Sequence, residues 1–162
     1  MNQPTWDWDS SPEWEELIGK SIRQFAEIEY VSVKCLTLIP TDKISDTASN
    51  LRFSDRASIL IEILESREDR DLHTASLLDG FKRAKALSTT RNLIAHNPMV
   101  MDIYLDENNN THKVEHKIAK TRGKERSIDL AELRMFAAEV EKVSALLWRS
   151  YVELDPESGE VV

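Results

Sequence analysis

The chain contains a single cysteine, Cys35, and four glycines in 162 residues. One cysteine excludes an internal disulfide framework and fits a reducing compartment such as the cytosol. Cys35 falls among apolar helical positions, which points to a buried thiol rather than a nucleophile. The scattered Gly19, Gly80, Gly123 and Gly159 leave no glycine-rich loop to cradle a phosphate. No apolar run approaches the length of a membrane span, so no membrane partner is expected. Residues 1–11 are polar and acidic and lack the apolar core of a signal peptide. Positive charge is outnumbered, with 21 Lys and Arg against 29 Asp and Glu. The formal net charge of −8 argues against nucleic-acid binding by the surface as a whole. What remains, 41% hydrophobic and 31% charged residues, is ordinary for one globular domain with a real core.

The positive charge is unevenly spread along the chain. Residues 1–80 carry 8 Lys/Arg against 16 Asp/Glu, and residues 127–162 carry 3 against 8. Residues 81–126 reverse the balance, with 10 against 5. A basic patch in an acidic chain steers a polyanion to one place and repels it elsewhere. The alternative is a charged stretch that simply stays solvated. Lys82, Arg83, Lys85, Lys117, Lys120 and Arg122 are the candidate nucleic-acid contacts within this segment.

Hydrophobic spacing predicts four main helices. Residues 1–11 read as a polar arm carrying Trp6 and Trp8, residues 12–154 as one helical domain, and residues 155–162 as a frayed tail. The first helix opens on Ser11 and Pro12, with Glu13, Glu15 and Glu16 at its positive end, and stops near Ile39 before Pro40. Its expected apolar face is Ile18, Ile22, Phe25, Val33 and Leu36, with Glu29 as the odd member. A carboxylate in such a stripe needs a partner or a path to water. A polar connection over residues 40–53 leads to a second helix over 54–66. That helix is apolar nearly all round and is expected at the centre of the bundle.

The third helix is predicted over residues 72–96. Leu77, Phe81, Ala84 and Leu87 set a step that continues onto Arg91 and then Ile94 or Ala95. Asn97-Pro98 ends it, because a residue before proline disfavours helical geometry. Residues 99–120 change period around an Asn-rich centre and predict a β-hairpin or a long ordered loop. The last helix is predicted from Ser127 or Asp129 to Leu154. Leu130, Leu133, Ala137, Val140, Ser144, Leu147, Tyr151 and Leu154 form a stripe suited to a bundle or a dimer seam. The expected fold is all-α: an up-and-down bundle of four main helices with a hairpin or long loop inserted before the last one.

Within this frame the stretch Arg91-Asn92-Leu93-Ile94-Ala95-His96 holds the most chemistry. Asn92 and His96 are four apart and share a helix face; Arg91 lies at an angle to His96. The helix end favours a protonated imidazole and nearby Arg91 disfavours it. That opposition suits a group that takes a proton in one step and returns it in another. Arg91 offers a planar fork for a phosphate or carboxylate. Asn92 can hold either the substrate or the imidazole. These groups suit cleavage of RNA by its own 2′-hydroxyl, with His96 handling the proton and Arg91 offsetting the growing charge on phosphorus. No metal or other cofactor is needed for that chemistry.

The six-residue motif, late in a long helix of a small helical bundle, resembles the signature of the HEPN superfamily: Arg, a polar residue, a short spacer, then His. Ile28-Glu29-Tyr30 in a first long helix, followed by a shorter apolar helix, is also similar to that family's arrangement. The resemblance implies a metal-independent endoribonuclease that works as a homodimer, in toxin–antitoxin systems, phage defence or RNA processing. It implies that Arg91 and His96 are the catalytic pair, that Asn92 is the polar residue after the arginine, and that Glu29 is an acidic neighbour of Arg91. RNA and a cognate antitoxin or regulatory protein are the implied partners. One toxin branch of the family carries a tyrosine two residues after the histidine. Here that position is Pro98, so the regulation linked to that tyrosine is not carried over.

His112 and His116 are four apart with Glu115 between them, but a metal site would want a helix or another ligand nearby, and this segment reads as strand or loop, so no metal site is expected. His73 stands alone at a helix start. Ser88, Thr89 and Thr90 have no base arranged for a nucleophilic triad. Two further readings stand beside the nuclease. One is a non-catalytic helical module that binds RNA, a nucleotide or a protein partner. The other is a purely structural arginine, buried against Glu29.

Overall fold

The computed structural model describes residues 11–40, 45–68, 71–120 and 126–155. Trp6 and Trp8, Arg122, and residues 156–162 of the expected tail lie outside them. The element order is α1 (Ser11–Leu38), α2 (Ser45–Ala48), α3 (Phe53–Ser66), α4 (Leu72–His96), β1 (Met99–Leu105), β2 (Thr111–Ala119), β3 (Ser127–Ile128) and α5 (Leu130–Leu154). It is a helical bundle with a small antiparallel sheet inserted before the last helix, as the sequence predicts. No helix among the described residues is long and apolar enough to cross a membrane.

The ends of the helices follow from local chemistry. The Asp71 carboxylate accepts from the Thr74 amide at 2.6 Å and starts α4; that bond holds its pKa below the usual carboxylate value. Asp129 and Glu132 form a reciprocal capping box at the start of α5. α4 ends at His96, and Asn97 before Pro98 is extended at φ −128°, ψ 148°. The hairpin tip turns through Asn109 at φ 61°, a left-handed conformation that asparagine tolerates. The Asp106 carboxylate accepts there from the amides of Asn108 and Asn110.

Helices α1, α4 and α5 pack on one another, and α3 packs on α4 and α1. The expectation that α3 sits at the centre is corrected. Its Ala57, Leu60 and Leu64 are buried, while Ile59, Ile61 and Ile63 are half-buried, so one side of it reaches solvent. The buried face of α1 is also turned from the expected one. It runs through Ser21, Phe25, Ile28, Ser32, Cys35 and Ile39, whereas Ile18, Ile22, Glu29 and Val33 lie at its margin. Hydrophobic spacing misses this because two of the buried positions are serines. A small side chain fits where helices approach closely, and the Ser32 hydroxyl is satisfied by the Glu29 carbonyl at 2.6 Å. The face of α5 is consumed within the chain by α1 and α4, with Leu133, Val140, Val143 and Leu147 fully buried. Cys35 is buried, and desolvation pushes its thiol up to about 12.

Strands β1 and β2 pair in antiparallel register from Met99↔Ile118 to Tyr104↔Lys113, with an irregularity between Tyr104 and Leu105. Strand β3, which spacing alone does not reveal, pairs Ile128 with Ile118. Both isoleucines are buried and anchor the hairpin base.

Candidate active site

The end of α4 meets the middle of α1 and the start of α3 around one cleft of about 510 Å³. Ser88, Arg91, Asn92 and His96 line it from α4, and Glu29 from α1. Leu51, Arg52, Phe53, Ser54 and Arg56 line it from the facing segment. The four residues expected as catalytic, Arg91, His96, Asn92 and Glu29, are therefore brought to one place.

Arg91 is the best-held of them. Its Nη2 pairs with Glu29 Oε1, its Nη1 donates to Asn92 Oδ1 at 2.9 Å, and its guanidinium lies 4.9 Å from the centroid of the Phe25 ring. The side chains of Arg91 and Glu29 retain 23% and 30% of their exposure. Partial burial lowers the pKa of Arg91 by desolvation, and an arginine stays charged through such a shift. Asn92 is thus bonded to the arginine rather than to the imidazole. His96 is exposed on the last turn of α4.

A second arginine, Arg56, is buried in the facing wall. Its Nε donates to Ser32 Oγ at 3.1 Å, and its Nη1 donates to the carbonyls of Leu51 at 2.5 Å and Ser49 at 3.3 Å. Arg56 therefore ties the segment before α3 to α1, one turn from Glu29. Burial lowers its pKa as it does that of Arg91. Sequence spacing carried a signal for it. Phe53, Arg56, Leu60 and Leu64 recur at helical steps, so Arg56 interrupts an apolar stripe, as Arg91 does. Arg52 carries no such signal, because an irregular segment places it.

The basic residues proposed from sequence divide differently. Lys82 pairs with Glu65 at 2.6 Å. Arg83 binds Glu139 at 2.6 Å and Asp79 at 3.2 Å, which raises its pKa. Lys117 pairs with Asp102, and Lys113 with Glu115. Lys120 follows β2, outside the cleft lining. Lys85 is the exception. It is exposed and sits at i, i+3, i+7 and i+11 with Ser88, Asn92 and His96 on one face of α4. Among the described residues, no three His, Cys, Asp or Glu side chains converge to hold a metal ion.

Comparison with protein-family models, with curated proteins and with solved structures finds no match to this chain.

Proposed function

We propose that this protein is a metal-independent endoribonuclease of the HEPN type, cleaving RNA through attack of the substrate's own 2′-hydroxyl. The observation that supports this most is the cleft itself. It gathers Arg52, Arg56 and Arg91 against one carboxylate, Glu29, with His96 exposed beside them. In an acidic chain, that is a site for a phosphate backbone rather than for a cation.

In this reading, a scissile phosphate lies against Arg91. His96 takes the 2′-hydroxyl proton as the oxygen attacks phosphorus. Arg91, aimed by Glu29, Asn92 and Phe25, offsets the negative charge that grows on the phosphoryl oxygens. The bond from phosphorus to the 5′-oxygen breaks, leaving a 2′,3′-cyclic phosphate and a 5′-hydroxyl. That leaving oxygen needs a proton, and His96 of a second copy would supply it in a homodimer. A toxin–antitoxin or phage-defence role in the cytoplasm, with a cognate inhibitor or regulator, belongs to the same proposal.

The same ion pair favours one competing reading. A guanidinium already paired with Glu29 and stacked on Phe25 is also what a non-catalytic module would use to fix its helices and anchor a phosphate. Replacing His96→Ala separates the two. The nuclease reading expects loss of RNA cleavage by at least about a hundredfold, the usual contribution of a general acid–base group. The circular dichroism spectrum and melting temperature should match the wild type, since His96 is exposed. Undiminished cleavage by that variant would sink the proposal, and a wild-type sample that binds RNA without turnover would support the competing module.

A further inference from the structure

Arg52 is the cation of the cleft that neither the ion pair nor the scaffold uses. Arg91 is committed to Glu29 and Asn92, and Arg56 to Ser32, Ser49 and Leu51. Arg52 is exposed, and among the described residues its side chain has no hydrogen-bond or ion-pair partner. It stands at the N-cap position of α3, yet its side chain makes no capping bond. Its backbone is nevertheless fixed. The Arg52 carbonyl accepts from the amides of Asp55 and Arg56, and the neighbouring Leu51 carbonyl is held by the buried Arg56 guanidinium. A free guanidinium on a fixed backbone, lining the same cleft as Arg91 and His96, is arranged to meet a ligand without first reordering the chain.

We infer that Arg52 is a substrate-binding residue that holds the phosphate next to the scissile one, making the facing wall of the cleft a subsite for polynucleotide rather than for a mononucleotide. This rests on the nuclease reading, because the scissile phosphate is the one assigned to Arg91 and His96. With a phosphate lodged there, Arg52, on the α3 side of the same cleft, is the cation left for the next phosphate of a strand. The planar fork suits that contact, and Ser54 offers a hydroxyl on the same wall. The contact carries no base information, so it strengthens binding evenly across sequences.

The test measures binding of the full chain to a single-stranded 2′-O-methyl RNA of about 20 nucleotides, long enough to fill a single-strand site, by fluorescence anisotropy over a salt series. The methyl group blocks attack, so the wild-type protein can be used. Arg52→Ala should weaken binding about tenfold near physiological salt and reduce the magnitude of the log–log salt slope by about 0.7, one single-strand phosphate contact. Arg52→Lys should keep the slope, since the charge is kept. Adenosine monophosphate, with one phosphate, should bind wild type and Arg52→Ala alike. Unchanged affinity and slope in Arg52→Ala would overturn the inference and leave the nuclease reading standing. An equal loss for the monophosphate would overturn it too, by placing Arg52 on the scissile phosphate. No binding of the strand by the wild type would overturn the nuclease reading itself.

Discussion

Arg91 is gripped from three directions, by a carboxylate, an amide oxygen and an aromatic face. Each contact removes freedom from a side chain that otherwise has much to lose on binding. Under the proposed reading, Glu29 acts on phosphate only through Arg91, as a positioning residue. Stability should report the same coupling. Arg91→Ala leaves the half-buried Glu29 carboxylate without its cation, and Glu29→Ala leaves the guanidinium without its anion. The double variant removes both costs. A chemical-denaturation cycle should therefore give a coupling on the order of 1 kcal/mol, modest because neither group is fully buried. Strict additivity of the two single variants would show that the pair is not held in solution. The presence of an inward arginine was legible in the sequence, because Arg91 continues the step set by Leu77, Phe81 and Ala84. Its anchoring to Asn92 was not, because neighbours in a helix point about 100° apart and only the long arginine side chain closes that gap.

Packing between helices turns on small side chains that hydrophobic spacing overlooks. Gly80 lets α4 approach α5: a methyl group there would stand 2.6 Å from Leu147 Cδ2. Leu147 is fully buried, so making room for the methyl group means repacking the core around it. Gly80→Ala should therefore cost about 1–3 kcal/mol by overpacking, offset by about 1 kcal/mol of helix propensity. The net result is a lower melting temperature. Gly19 on α1 meets nothing within 4 Å, so Gly19→Ala should raise it. A thermal melt of the two variants checks both signs, and a rise in each would show that α4 and α5 are not in close contact. The same effect explains what could and could not be read in advance. The ends of α4 and α5 follow from Asp71, Asn97-Pro98 and Asp129, all visible as local chemistry. The buried face of α1 was misplaced by one residue, because Ser21 and Ser32 are buried for their size. The third strand is not legible because two residues carry no period; its pairing depends on partners eight and ten residues away.

Among the described residues, several cations are taken up in ion pairs between elements. On the hairpin, Lys113 and Lys117 are neutralised by Glu115 and Asp102, and on the bundle Lys82 and Arg83 are neutralised by Glu65, Glu139 and Asp79. The basic segment seen in the sequence is therefore not one open patch. Among the described residues, Arg52, Arg56 and Arg91 line one cleft whose lining holds a single carboxylate, Glu29, and only Arg91 is paired with it. Which cations would be neutralised depends on contacts between distant elements, such as Arg83 with Glu139, and no count along the chain reveals them. The most direct measurement uses the full chain with a single-stranded RNA of about 20 nucleotides, in EDTA, beside the same strand fully 2′-O-methylated, with the products read by mass spectrometry. The account predicts cleavage of the unmodified strand to 2′,3′-cyclic phosphate and 5′-hydroxyl ends, undiminished by EDTA, and an intact methylated strand. Cleavage of the methylated strand, cleavage that appears only when a divalent metal is added, or no cleavage of either strand would contradict it.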